Sequence, residues 1–93
     1  MTEQSKIIRY VVVLNKLGLH ARPASLFVKT ASGFVSDIPV SKDGHISDGK
    51  SIIGLLMLAA GQGIELNVTA HGEDAMEAVN ALEKLIANRF GEE

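Results

Sequence analysis

Ile64-Glu65-Leu66-Asn67-Val68-Thr69-Ala70 alternates an apolar with a polar residue along its whole length. Successive strand residues face opposite ways, so Ile64, Leu66, Val68 and Ala70 point to a core and Glu65, Asn67 and Thr69 to water. Such half-burial is the mark of an antiparallel sheet covered on one side only. Upstream, Ser51–Ala60 predicts a helix, with Ser51 as N-cap and Gly61 as the stop. Phe34–Val40 and His45–Asp48 predict two strands joined into a hairpin through the turn Lys42-Asp43-Gly44. Pro39 conflicts with the first of these strands, because proline cannot donate to a ladder. Pro23–Ala31 predicts a helix that opens on proline and stops at Gly33, with Ala24, Phe27, Val28 and Ala31 at core-facing spacing. Arg9–Leu14 is β-branched and apolar, a strand. Downstream of the alternating segment, Gly72 is a breaker and Glu73 and Asp74 open a third helix. Its apolar stripe is Met76, Val79, Leu82, Ile86 and Phe90, with Leu85 alongside. Residues 1–5 and 91–93 read as frayed ends. The order β-α-β-β-α-β-α, with short connections, predicts one α+β domain over residues 1–93, its helices on one face of a mostly antiparallel sheet.

A chain of 93 residues, 46% hydrophobic and 22% charged, has an ordinary globular composition. Its net charge of -2 provides no basic field for nucleic acid or an anionic membrane. Cysteine is absent, which excludes a disulfide framework and thiolate metal sites. Ile7–Leu14 is short, interrupted by Arg9 and not followed by a small-residue cleavage site. A cytoplasmic, monomeric protein with no membrane span is therefore expected, and no cofactor or metal.

Gly44-His45-Ile46-Ser47-Asp48-Gly49-Lys50-Ser51 matches the spacing of a nucleotide phosphate loop. Its context argues against that chemistry. The loop should follow a buried parallel strand, yet Ser41-Lys42-Asp43 precedes it, and the strand ending at Ala70 leads to His71 instead of a metal-binding aspartate. A hairpin, a turn and a capped helix are expected there. His45 and His71 read as surface or turn residues.

His20 stands just ahead of the proline-marked helix, followed by Ala21 and Arg22. Backbone N–H groups in a first helical turn have no intrahelical acceptor, and the helix dipole favours an anion there. Arg22 adds a guanidinium suited to phosphate oxygens. The same positive field disfavours the imidazolium, so a neutral, nucleophilic ring is expected near neutral pH. A neutral imidazole beside an anion site can accept a phosphoryl group and yield it again. A histidine that merely caps the helix, beside a surface arginine, fits these residues about as well.

Asn15-Lys16-Leu17-Gly18-Leu19-His20-Ala21-Arg22-Pro23-Ala24 resembles the active-site signature of the histidine-containing phosphocarrier protein (HPr) family of the bacterial phosphotransferase system. Lys50-Ser51-Ile52-Ile53-Gly54-Leu55-Leu56-Met57-Leu58 resembles that family's second signature. The resemblance runs from Arg9 to about Phe90. It implies an open-faced sandwich, a four-stranded antiparallel sheet of order 1-4-2-3 with three helices on one face. It implies that His20 takes a phosphoryl group on Nδ1 from phosphorylated enzyme I and passes it to an enzyme IIA domain, as a carrier and not an enzyme. Arg22 would pair with the phosphoryl oxygens, and Ala21, Arg22, Ile52, Ile53 and Leu56 would form the docking surface. Ser51 corresponds to the serine that HPr kinase/phosphorylase modifies in many members, where a phosphate bears on docking and on transcriptional regulators. Lys16, Leu17 and the Leu55–Leu58 stretch also resemble the nitrogen-related branch. A mainly regulatory binding module without sugar transport is thus the alternative reading.

Overall fold

The alternating segment forms the centre of the sheet. In the computed structural model, which describes residues 5–92, the elements are β1 (Ser5–Val12), α1 (Ala21–Ala31), β2 (Pro39–Lys42), β3 (His45–Asp48), α2 (Ile52–Met57), β4 (Glu65–Gly72) and α3 (Ala75–Ala87), followed by a short 3-10 turn at Arg89–Gly91. The fraying expected for residues 1–4 and 93 lies outside the described residues. The four strands run in the order β1-β4-β2-β3, every pair antiparallel. The three helices cover one face, as the resemblance implied. Leu66, Val68 and Ala70 are buried beneath them with Val11, Val40, Phe27, Val79, Leu82 and Ile86. On the opposite face Ile8, Tyr10 and Ile46 stay exposed.

Several boundaries differ from the sequence reading, each for a local reason. β1 begins at Ser5, which pairs with Gly72, and ends before Val13. The Phe34–Val40 strand is displaced to Pro39–Lys42, preceded by an isolated bridge between Asp37 and His71. Asp37 and His71 exchange both backbone bonds, so the next position of that kind on the same register falls at Pro39, which has no N–H to give. Proline therefore splits the ladder without shifting its register. The hairpin turn is Asp43-Gly44 alone, both at positive φ (50° and 83°), the requirement of a two-residue type I′ loop. Lys42 belongs to the strand. There its Nζ reaches the carbonyls of Leu58 and Ala59 at 2.8 and 3.3 Å.

α2 is shorter than expected. It stops at Met57, and the chain turns through Ala59 at φ 51°, not through Gly61. Gly44–Ser51 forms no phosphate cradle. Gly44 sits in the hairpin turn, and Lys50 Nζ donates to the Phe34 carbonyl at 2.8 Å. α3 ends at Ala87, so Phe90 is not part of its stripe, although it is buried. Met76 is exposed, and Ala75 and Ala78 take the core positions instead. Asp74 does not cap α3 with its side chain. It accepts from the backbone N–H groups of Val35 and Ser36 and from Ser36 Oγ, clamping the loop before β2. β4 runs on past Ala70 to Gly72, the residue read above as the breaker after it, and a side chain at Gly72 would strike Ser36.

Two substitutions test these constraints. The Ser36 hydroxyl, then the Val35 N–H, hold the Asp74 carboxyl below its ordinary value of 3.8. A depressed carboxyl stabilises the fold above its unfolded value, and that contribution disappears as pH falls through the folded one. Asp74→Asn should therefore be less stable than the parent at neutral pH in urea unfolding, and the gap should close on acidification below 3.8. Gly18 lies at φ 71°, and a Cβ there would meet the Ala60 carbonyl at 2.5 Å. Gly18→Ala should cost about 1–3 kcal/mol in the same assay; a loss under about 0.5 kcal/mol would mean the contact is not constrained.

Candidate functional site

His20 is brought to the surface by the loop between β1 and α1. Gly18 allows the close approach described above, and the Leu19 N–H donates to the Ala60 carbonyl at 2.8 Å. This bond ties the histidine loop to the segment between α2 and β4. His20 then adopts an extended backbone as the N-cap of α1, and its carbonyl accepts from the Ala24 N–H at 2.9 Å. Its side chain makes no capping bond. Among the described residues, the N–H groups of Ala21 and Arg22 have no acceptor. The anion-receptive helix start expected from the sequence is therefore present.

The ring is 37% exposed and Arg22 is 67% exposed, so both are reachable from solvent. The sequence reading missed the group that faces them. Glu92, taken above for a frayed end, is only 14% exposed, and its carboxylate lies 3.2 Å from His20 Nε2 through either oxygen. Asn15 Nδ2 donates to Glu92 Oε1 at 3.0 Å, and Arg22 Nη1 lies 3.8 Å from Oε2. The His20 contact, helped by Asn15 and by the Arg22 charge, holds the Glu92 carboxyl below its ordinary range against the opposing effect of burial. An ionised carboxylate can only accept, so His20 Nε2 carries the hydrogen. Nδ1, with no partner among the described residues, keeps its lone pair in the neutral ring. Glu92 also sets a negative charge against the positive helix end, a term absent from the sequence reading.

Around the ring lies a shallow depression of about 300 Å³ lined by Leu17, Leu19, Leu56, Ala59, Ala60 and Gly61. Of the expected docking residues, Leu56 lines this depression beside His20, while Ala21 and Arg22 start the adjoining helix. Ile52 and Ile53 are exposed on the first turn of α2. The apolar excess of α2 thus divides: Leu55 and Leu58 enter the core, and Ile52, Ile53 and Met57 face solvent. Leu17, strongly exposed beside His20, was missed because it sits in a loop without periodicity. Ser51 is the N-cap of α2, its Oγ accepting from the Gly54 N–H at 3.0 Å. His45 and His71 are exposed strand residues away from this depression. No helix among the described residues is long and apolar enough to cross a membrane.

The family model for the phosphotransferase-system HPr component phosphorylation site matches residues 7–88. Phosphocarrier protein HPr of Cupriavidus necator is 48% identical over 84 residues, spanning 90% of this chain and 94% of that protein. The Treponema pallidum protein of the same name is 44% identical over 87 residues, 94% of this chain and 99% of its own. The crystal structure of HPr-C-His from Thermoanaerobacter tengcongensis superposes with a TM-score of 0.90 at 47% identity, covering 94% of this chain and 98% of that one. The family match takes in β1 from Ile7 onward, the histidine loop, β2, β3, α2 and β4. The chain belongs to the HPr family, the phosphocarrier proteins of the phosphotransferase system.

Proposed function

We propose that His20 is the phosphoryl acceptor, that the bond forms at Nδ1, and that the group comes from phosphorylated enzyme I and goes on to an enzyme IIA domain. The observation that carries this reading is the state of the ring. Nε2 is engaged by Glu92, while Nδ1 is unengaged, on a partly exposed side chain at the free N-terminus of an eleven-residue helix. The Nδ1 lone pair attacks phosphorus, and the amides of Ala21 and Arg22 and the Arg22 guanidinium suit the oxygens of the arriving group. On this reading the partners complete the chemistry, including any acid that a leaving group needs. The apolar rim, with Leu17, Ile52, Ile53, Leu56 and Met57, is the surface on which those partners dock, excluding water from the transfer.

Ser51 has a second role in this reading, as a site for HPr kinase/phosphorylase. Its Oγ already faces the Gly54 N–H, so a phosphate there keeps an amide partner and adds ~ -2 charge beside exposed Ile52 and Ile53. The effect falls on docking more than on the fold, and it is the point at which a transcriptional regulator could read the protein.

Two measurements test these assignments. Incubation with enzyme I and labelled phosphoenolpyruvate should add one acid-labile phosphoryl group to the parent chain and none to His20→Ala. Label retained by that variant, or acid-stable label on the parent, would refute the assignment. Protein phosphorylated at Ser51 should keep its circular dichroism and accept the phosphoryl group more slowly than unmodified protein. Identical transfer kinetics would remove the regulatory role. Ser51→Ala by itself should cost about 1 kcal/mol, from the lost cap alone.

A further inference from the structure

The C-terminal segment carries an acidic group into the site from the far end of the chain. Past α3, Arg89 and Phe90 both take positive φ, Phe90 enters the core, and the backbone turns back. The Glu92 N–H then donates to the Arg89 carbonyl at 2.8 Å. This delivers the Glu92 carboxylate to His20 Nε2, on the far side of the ring from Nδ1.

Asn15 holds that carboxylate from below. It is fully buried, and its Nδ2 donates both to the Gly18 carbonyl at 2.7 Å and to Glu92 Oε1 at 3.0 Å. Its Oδ1 has no hydrogen-bond partner among the described residues. The reverse amide orientation would set Oδ1 against a carbonyl and a carboxylate, so the two donor contacts fix the side chain. One donor bond secures the loop that ends in His20, the other secures the acid that faces it.

We propose that Glu92 is a positioning residue for phosphoryl transfer, its carboxylate holding the Nε2–H of His20 so that the Nδ1 lone pair is presented and the charge arising on the ring is offset. The inference rests on His20 being the acceptor. In the transfer the Nδ1 lone pair forms the new bond to phosphorus as the donor's bond to phosphorus breaks, its electron pair leaving with the donor. No proton moves. The ring, neutral before the step, becomes an imidazolium that bears the phosphoryl group and still carries its Nε2 hydrogen. The positive charge appears on the ring whose Nε2–H Glu92 holds. A fixed carboxylate on the second nitrogen of a reacting histidine selects the tautomer and stabilises the imidazolium, as it does in catalytic triads. In the reverse step the same contact loses strength as the ring becomes neutral again.

The test uses the full chain with 15N-labelled histidine. Ring 15N spectra of the unphosphorylated protein report which nitrogen carries hydrogen, and single-turnover transfer from phosphorylated enzyme I reports rate. Glu92→Ala should raise the share of the Nδ1–H tautomer and slow acceptance about tenfold or more. Glu92→Gln retains an oxygen for Nε2–H but no charge, so it should keep the parental tautomer and accept at an intermediate rate. A Glu92→Ala protein with parental ring spectra, or with the parental rate, overturns the proposal even where the parent is phosphorylated normally. A parent that takes no phosphoryl group on His20 overturns the functional reading itself. The spectra are read without any transfer, so the two failures are distinct.

Discussion

One backbone hydrogen bond, from the Leu19 N–H to the Ala60 carbonyl, couples the sheet to the histidine. It can form only because Gly18, beside it, has no side chain to meet that carbonyl. The acceptor is itself secured from the other side. Ala60 follows Ala59, which is held in the left-handed region at the end of α2, and Lys42 in β2 places its ammonium on the Leu58 and Ala59 carbonyls. A cation at a helix C-terminus satisfies carbonyls that lack intrahelical donors and interacts favourably with the dipole. A path of direct contacts thus runs from the central sheet, through Lys42 and the turn after α2, to the loop that carries His20. On the proposed reading the path matters, because a phosphoryl acceptor has to be placed to within fractions of an ångström, and a loop alone does not hold that tolerance.

The opposite side of the site is held less firmly. Bringing Glu92 to the ring requires left-handed backbone at Arg89 and Phe90, neither of them glycine, at roughly 1–2 kcal/mol each. Burying the Phe90 ring returns roughly 1.5–3 kcal/mol. These terms nearly cancel. The docked position of the tail therefore rests on what Glu92 itself contacts: His20, Asn15 and Arg22.

The distribution of information along the sequence follows from this asymmetry. The alternation from Ile64 to Ala70 was legible because half-burial imprints period two directly on residue type, and the observed burial of Leu66, Val68 and Ala70 follows it. The start of α1 was legible from Pro23 only to within two residues: Pro23 lies in the first turn, as it suits a proline to do, but the helix begins at Ala21. The strand order came from the resemblance to a family, since no local pattern states which strands are neighbours. Pro39 misplaced β2, because the sequence shows a missing donor without showing which ladder position lacks it. Met76 and Phe90 misled for a related reason. Periodicity assigns a residue to a face on the assumption that the helix continues, and α3 ends at Ala87. Glu92 was beyond reach. Positive φ at Arg89 and Phe90 is imposed by tertiary packing, and nothing in Asn-Arg-Phe announces it, so an acidic residue next to the terminus read as solvent-facing. Asn15, inside a recognised signature, had no assigned partner for the same reason.

The shape of the site agrees with a carrier better than with an enzyme. The larger hollow, about 590 Å³, lies on the open face of the sheet between Lys6, Pro39, Ile46 and His71. His20 lies instead in a shallow depression of about 300 Å³ with an apolar rim. An enclosed pocket excludes water and fixes one substrate. On the proposed reading this histidine has to enter two different protein sites in turn, one giving and one receiving, so it cannot be enclosed by its own chain. What the chain can supply is what survives the exchange of partners: a helix start, an arginine, and a second ring nitrogen already occupied. Water exclusion and any further catalytic groups then fall to whichever partner covers the rim formed by Leu17, Leu56 and the first turn of α2.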